Sequence, residues 1–306
     1  MTLMLWMATL AWFGPKPSEV GALDLEEQRT LVNKGIIGIL GDGARGTDFA
    51  LIADLAAVLD RGYEQRILPI AGIGSVRAVE DLLLLRGIDV AFVQADVLDF
   101  YKQAELFPDI GERIRYLAKL YDKEFHVLAS KDITSIDDLK GRRVNFGPAS
   151  SGSFLTASLV FGMLGIAVDV VDDDYQIALE KLRQGEIDAW VRVDAKPTLQ
   201  LEDTTSLAGL HLLSLPASSI DQAYTATALT AGDYPGLIEN GASVDTLAVP
   251  TIMAVYAWPR NAQKRARLRS FYDSLRDGIS RLQQAPFHEK WRDVNLDVDI
   301  PGWERF

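Results

Sequence analysis

The feature that most constrains the fold of this chain is a pattern that occurs twice. It consists of an apolar strand, a loop rich in glycine or serine, a helix, a strand, a helix, and a strand opening with Ile-Asp. In the first run Ile36 to Leu40 (IIGIL) reads as a buried strand, Phe49, Ile52, Ala56 and Leu59 recur at helical spacing, and Gly62 ends that helix. Ile67 to Ile70 is a second strand, whose Pro69 places it at a sheet edge or a strand end. Val76, Val79, Leu82 and Leu83 give a second amphipathic helix closed by Gly87, and Ile88 to Gln94 a third strand. In the second run the strands are Arg143 to Phe146, Val168 to Val171 and Ile187 to Val193. Leu155, Leu159 and Met163 mark the first of its helices, and Ala178 and Leu182 the second, which Gly185 stops. Strands and helices alternating in this order pack as a parallel sheet with helices on both faces.

Two such runs in 306 residues predict an α/β protein of two lobes. Leu117 to Ser130, containing the extended stretch Glu124 to Ala129, lies between the runs, and Thr246 to Trp258 is a long apolar stretch suited to a return crossing. The expected division is residues 1–22 as a hydrophobic N-terminal segment, 33–128 plus 252–306 as one lobe, and 129–251 as the other. Two lobes joined by two crossings leave a cleft at the carboxyl ends of both sheets, where open α/β folds take their ligands.

Composition removes several function classes. Lys and Arg total 31 against 43 acidic side chains, a formal net charge of -12, which argues against nucleic acid or anionic lipid as a main partner. An anionic solute stays compatible, because a cleft can be locally positive on an acidic protein. The absence of cysteine rules out disulfides, thiolate metal sites and a cysteine nucleophile. Leu3 to Phe13 is almost wholly apolar and too short to span a bilayer, and Val20-Gly21-Ala22 offers small residues at a cleavage point. No Lys or Arg precedes that stretch, the first being Lys16. The preferred reading is export to the periplasm, with or without tethering by an uncleaved N-terminus; a buried N-terminal segment is the alternative.

Each run places a small-residue loop between a strand and a helix. Gly41-Asp42-Gly43-Ala44-Arg45-Gly46-Thr47 formally matches G-x-G-x-x-G, but the second strand ends Ile70-Ala71-Gly72 without the carboxylate a dinucleotide ribose requires. The preferred reading keeps the physics without the nucleotide: exposed backbone N–H groups at a helix N-terminus, with Arg45 as counter-ion to a carboxylate. A solvated Arg45 at a loop tip is the bland alternative. Gly147-Pro148-Ala149-Ser150-Ser151-Gly152-Ser153 is the matching loop of the second run, where the serines either meet a polar head group or only cap the helix. Gly43, Gly46, Thr47, Ser75, Gln94, Ser151, Gly152 and Ser153 are thus candidate ligand contacts, and Tyr121 and Tyr234 candidate cleft walls. Asp96, and the turn Asp194-Ala195-Lys196 with its cation, fall at the cleft rim, where helix capping is the commoner role for the aspartates. His126, His211 and His288 stand alone, with His126 in an apolar strand as a packed histidine, and no catalytic constellation, metal site or cofactor is expected.

Four segments, in this order, resemble the solute-binding proteins of TRAP transporters, specifically the TAXI class (TRAP-associated extracytoplasmic immunogenic proteins). They are Gly87-Ile88-Asp89-Val90-Ala91-Phe92-Val93-Gln94-Ala95-Asp96-Val97; Ile136-Asp137-Asp138-Leu139-Lys140-Gly141-Arg142-Arg143-Val144 with Gly147 and Ser151-Gly152-Ser153; Ala178-Leu179-Glu180-Lys181-Leu182 with Gly185-Glu186-Ile187-Asp188-Ala189; and Leu229-Thr230-Ala231-Gly232-Asp233-Tyr234-Pro235-Gly236. The resemblance implies a type II periplasmic binding fold without catalysis. It further implies a small organic anion as ligand (a dicarboxylate, 2-oxoacid or glutamate-like amino acid) and delivery to TRAP membrane permease subunits. The chain departs from the class in its first loop, which carries Asp42 and Arg45 and has Asp48 where a tyrosine is usual. A nucleotide-dependent enzyme using the Gly41–Gly46 loop, and a two-lobed sensor for a membrane kinase, remain alternatives.

Overall fold

A computed structural model describes residues 24–201, 207–216, 220 and 224–306; the expected leader, residues 1–22, lies outside them. In chain order the elements are α1 (Leu25–Lys34), β1 (Ile36–Gly41), α2 (Thr47–Leu59), β2 (Arg66–Ala71), α3 (Ser75–Leu84), β3 (Val90–Gln94), α4 (Ala95–Gln103), α5 (Ile110–Arg113) and β4 (Ile114–Ser130). The second run supplies β5 (Arg143–Asn145), α6 (Gly152–Leu164), β6 (Asp169–Val171), α7 (Tyr175–Arg183) and β7 (Ala189–Asp194). The chain then forms β8 (Leu210–Leu212), β9 (Thr225–Thr230), β10 (Ser243–Tyr256) and α8 (Ala262–Leu282).

The strands join in the order β2-β1-β3-β10-β4-β7-β5-β6, with β8 added to β4 and β9 to β10. β1 pairs parallel with β2 and β3, and β5 parallel with β6 and β7, as the two alternating runs require. Pro69 sits on the edge strand β2, where its missing N–H costs no ladder bond. β4 and β10 are antiparallel to each other and long enough to serve both halves: β10 pairs with β3 on one side, and β4 with β7 on the other. We call the β1–β3 half with its helices the first lobe and the β5–β7 half the second.

Burial follows the same division. In the first lobe Leu51, Leu55, Phe92 and Tyr121 pack with Phe271 of α8 and Trp291 on one sheet face, while Val79, Val93, Ile252 and Trp303 pack on the other. In the second lobe Phe125, Val144, Phe161 and Val191 fill one face, and Leu128, Leu182, Trp190 and Tyr234 the other. The C-terminal stretch is held to the first lobe by polar contacts as well. The Trp291 indole donates to Asp54 (3.1 Å) and the Trp303 indole to Asp99 (2.8 Å). Among the described residues no helix is long and apolar enough to cross a membrane.

Candidate functional site

The crossing strand β4 carries polar side chains where a pure packing strand would be apolar. Lys123 is 1% exposed and its ammonium lies 2.9 Å from Asp48, itself 1% exposed, at the start of α2. The Tyr121 hydroxyl donates to the other oxygen of the same carboxylate. Burial alone would lower the Lys123 ammonium, but Asp48, Asp42 and Asp194 together overcome it and push it up to about 12. Asp48 anchors the first lobe to the crossing.

Facing this pair, Arg192 on β7 donates through Nε (3.1 Å) and Nη2 (2.7 Å) to one oxygen of Asp194, and its guanidinium lies 3.9 Å from the centre of the Tyr175 ring. Asp194 is not a helix cap. Its carboxylate also accepts from the Ala195 N–H and the Thr198 hydroxyl, and Arg192 and Lys123 outweigh the effect of burial to hold it below its ordinary value. On the same face of the sheet the His126 ring meets the Tyr234 hydroxyl (2.6 Å), and burial pushes this imidazole down to about 4, leaving it a neutral packed histidine.

Beside the crossing a groove of about 280 Å³ runs between the lobes. Arg45, Gly46, Thr47 and Ala50 form its first-lobe wall, Ala195, Lys196, Pro197 and Leu199 its second-lobe wall, and His288, Glu289 and Lys290 its end. The lining thus holds three cations and one carboxylate, Glu289. Arg45 is exposed, and its side chain makes no hydrogen bond or ion pair with a described residue. Lys196 donates to the Ala228 carbonyl (2.6 Å) with Asp233 at 3.9 Å, and Lys290 lies 3.4 Å from Asp293. The Gly43 and Gly46 N–H groups, expected to be open to a ligand, are bonded inside the loop, to the Asp42 carboxylate (2.9 Å) and the Gly43 carbonyl (2.8 Å). Gly46 caps α2 without a side-chain bond, so Arg45 and Thr47 are the loop's outward-facing groups.

The other sequence candidates meet at a separate place, where the lobes touch. The Ser150 hydroxyl donates to the Ile73 carbonyl (3.1 Å), and the Arg77 N–H donates to the Ser150 carbonyl (3.3 Å). Gly74 (φ +126°) makes this approach possible, because a Cβ there would stand 2.5 Å from the Ser151 Cα. The Gln94 amide donates to the Thr156 hydroxyl (2.9 Å), which donates to Asp96 (2.6 Å); Tyr224 also donates to Asp96 (3.0 Å). Gly152 lies directly against the Gln94 amide, which a Cβ there would displace. Asp96 is therefore a lobe-to-lobe acceptor instead of a cap, and burial pushes its carboxyl up to about 6. Ser75 accepts from the Gln94 N–H, Ser153 bonds to the backbone of Val193, and Ser151 caps α6 through the Phe154 N–H.

Of the thirteen candidate contacts, Arg45, Gly46, Thr47 and Lys196 come together in the groove. Ser75, Gln94, Asp96, Ser151, Gly152 and Ser153 gather in or beside the lobe contact. Tyr121 and Tyr234 are buried behind the cleft, bonded to Asp48 and His126. Gly43 is bonded within its own loop. The sequence does not single out Lys123, Glu124, Arg192 or Lys290 as site residues, and it leaves His288 as an isolated histidine. A charge inside an apolar strand is the available signal for three of them, Lys123, Glu124 and Arg192; the C-terminal pair carries none. Among the described residues no group of three His, Cys, Asp or Glu side chains could hold a metal ion.

A family model for the NMT1-like family matches residues 39–272. Among solved structures the chain is similar to an ancestral arginine-binding protein bound to arginine (14% identity, TM-score 0.50, covering 84% of this chain and 98% of that one). It is also similar to the periplasmic aliphatic sulphonate binding protein SsuA from Escherichia coli (16%, 0.47, 81% and 70%). A third is a binding protein component of an ABC phosphonate transporter from Pseudomonas aeruginosa (10%, 0.49, 83% and 81%). At these identities the likeness is one of fold. With most of its length matched by the family model, the chain belongs to the NMT1-like family and has the two-lobed α/β fold of the periplasmic solute-binding proteins.

Proposed function

We propose that the protein is the periplasmic solute-binding subunit of a transporter, a binding protein and not an enzyme, which captures a small organic anion between its lobes and hands it to a membrane permease. The observation that carries this reading is the groove: its lining holds Arg45, Lys196 and Lys290 with Glu289 as its one carboxylate, and Arg45 is unpaired among the described residues, on a chain of net charge -12. Arg45, with its fork of donors unspent, is the group we assign to a carboxylate, supported by Thr47 at the start of α2 and by the two lysines. The four segments similar to TAXI proteins favour a permease of the TRAP type and a dicarboxylate, 2-oxoacid or glutamate-like solute. The proposed lobes are residues 33–128 plus 252–306 and 129–251, and solute binding favours their closed arrangement by its differential affinity. A nucleotide cradle is disfavoured because the Gly43 and Gly46 N–H groups are spent within the loop.

The test is a thermal-shift screen of organic acids, amino acids and nucleotides. A solute at about a hundredfold its Kd adds ~2.7 kcal/mol of stability. Arg45→Ala should weaken binding of the best organic acid at least about tenfold, the worth of a charged hydrogen bond of ~1.5–3 kcal/mol, with an unchanged Tm in its absence. Stabilisation by NAD or ATP alone would overturn the proposal.

A further inference from the structure

Glu124 is the polar residue of β4 that the ion pairs described above leave out. It is 5% exposed, and its carboxyl accepts one hydrogen bond, from the Lys196 N–H at 3.0 Å. No ammonium or guanidinium of a described residue lies within 4 Å of it, whereas buried Asp48 and Asp194 each have one at 2.9 Å or less. Two of the groove's three cations, Lys290 and Lys196, act on it from a distance, and Asp122 opposes them from its own strand. Across the sheet its backbone partner is Asp194, which is already matched with Arg192. His126, neutral, lies two residues along β4, and the Tyr234 hydroxyl on the same side is held protonated by burial. Lys196 is shared with Asp233 at 3.9 Å. Glu289 and His288 stand at the groove's end beside Lys290. Glu124 is thus a buried carboxyl without a cation of its own, at the edge of a cationic groove.

We infer that Glu124 is the proton-linked residue of the solute site, so that an anion seated between Lys196 and Lys290 is taken up together with a proton on Glu124. The inference rests on the anion-binding reading of the groove. An anion there draws on the two ammonium groups that favour ionised Glu124 and adds a negative charge of its own. Both effects favour the protonated carboxyl, and by linkage the proton favours the anion equally. Burial already pushes this carboxyl up to about 7, against the pull of Lys290 and Lys196, so the coupling falls in the neutral range.

The probes are succinate and 2-oxoglutarate, whose carboxylates stay ionised from neutral pH upward. Calorimetric titration of the full chain should show affinity near its plateau below pH ~7 and falling by up to about tenfold per pH unit above it, the limit for one linked proton. Titrations in two buffers of different ionisation enthalpy should show proton uptake. Glu124→Gln, permanently neutral, should bind with neither the pH dependence nor the uptake. A pH-independent affinity in the native protein, or the same dependence in Glu124→Gln, would overturn the inference while leaving anion binding intact. Carbon-13 carboxyl NMR of the protein without solute provides a second readout. A Glu124 midpoint near 7 is expected, and one in the ordinary range near ~4.3 would overturn the inference whatever binds. If neither probe nor any acid of the thermal-shift panel binds at any pH, the anion reading itself fails and the linkage falls with it.

Discussion

Replacing Lys123 by methionine removes one half of the buried pair that fastens the first lobe to the crossing strands. The ammonium lies 2.9 Å from Asp48 with both side chains 1% exposed, which at an effective dielectric near 20 is an attraction of about 6 kcal/mol. Much of that offsets the desolvation of the two ions. The loss on truncating one partner is therefore nearer ~3–5 kcal/mol, the cost of an unmatched buried charge. For a lobe of this size it lowers Tm by about 6–20 °C. The sign of the pH dependence follows from Asp48, whose carboxyl burial raises even with Lys123 present. A carboxyl raised on folding contributes stability that is complete below its unfolded value, near 3.8, and is lost as pH rises through the folded one. In Lys123→Met the folded value rises further, so the deficit should be smallest near pH 4 and grow toward neutrality. Adding Asp48→Asn, which keeps an acceptor for the Tyr121 hydroxyl and removes the charge, should restore most of the loss at pH 7. Urea unfolding followed by circular dichroism at several pH values measures all three. A deficit under ~1 kcal/mol at pH 7, or one that does not change with pH, would refute the account of the pair.

Asp96→Asn tests the lobe contact. The native carboxyl, raised to about 6 by burial, gives stability that is complete below pH 3.8 and lost as pH rises through 6. The difference between native and variant unfolding free energies should therefore change by up to about 3 kcal/mol between pH 4 and 7, and a flat difference would contradict the assignment. Gly74→Ala puts a Cβ 2.5 Å from the Ser151 Cα and 2.7 Å from the Ser150 carbonyl oxygen, at a φ of +126°. It should cost about 1–3 kcal/mol from backbone strain alone and part the lobes, seen as a larger radius of gyration by small-angle scattering; an unchanged radius would show that this contact does not set lobe closure.

The fold was legible because its signal is periodic and local. Each of the six strands in the two runs and the existence of the helix after each Gly/Ser loop follow from apolar spacing, and the edge position of β2 from Pro69. The stripe Leu155, Leu159 and Met163, however, is not the buried face of α6, which presents Thr156, Ala157, Val160 and Phe161 to the core and leaves Met163 exposed. The site was legible only in part. Spacing places Gly74, Ser75, Gln94 and Ser151 at strand ends, and strand ends in two facing lobes can meet a solute or meet each other; the choice depends on distances between lobes that no local pattern encodes. Here Ser150 and Ser151 come up against Ile73 and Gly74. The groove's far end, His288 to Lys290, lies some 90 residues beyond β7 in sequence and is brought there by the docking of Trp291 on Asp54.

β4 shows how one strand can tie these parts together. Successive side chains of a strand alternate between its two faces, so Lys123 reaches Asp48 in the first lobe while Glu124 and His126 turn to the side of Asp194 and Tyr234. Glu124 also accepts the Lys196 N–H in the wall of the groove. Lys123, which helps hold the crossing in place, is thus the covalent neighbour of the carboxyl assigned to proton linkage. The Lys196 backbone N–H holds Glu124 in place, and a change in how its ammonium is engaged, by a solute or by Asp233, acts on Glu124 through their charge interaction. Disturbing Lys123 should therefore alter the pH dependence of solute affinity as well as stability, whereas Asp96→Asn, acting at the lobe contact, should change affinity without moving the Glu124 midpoint.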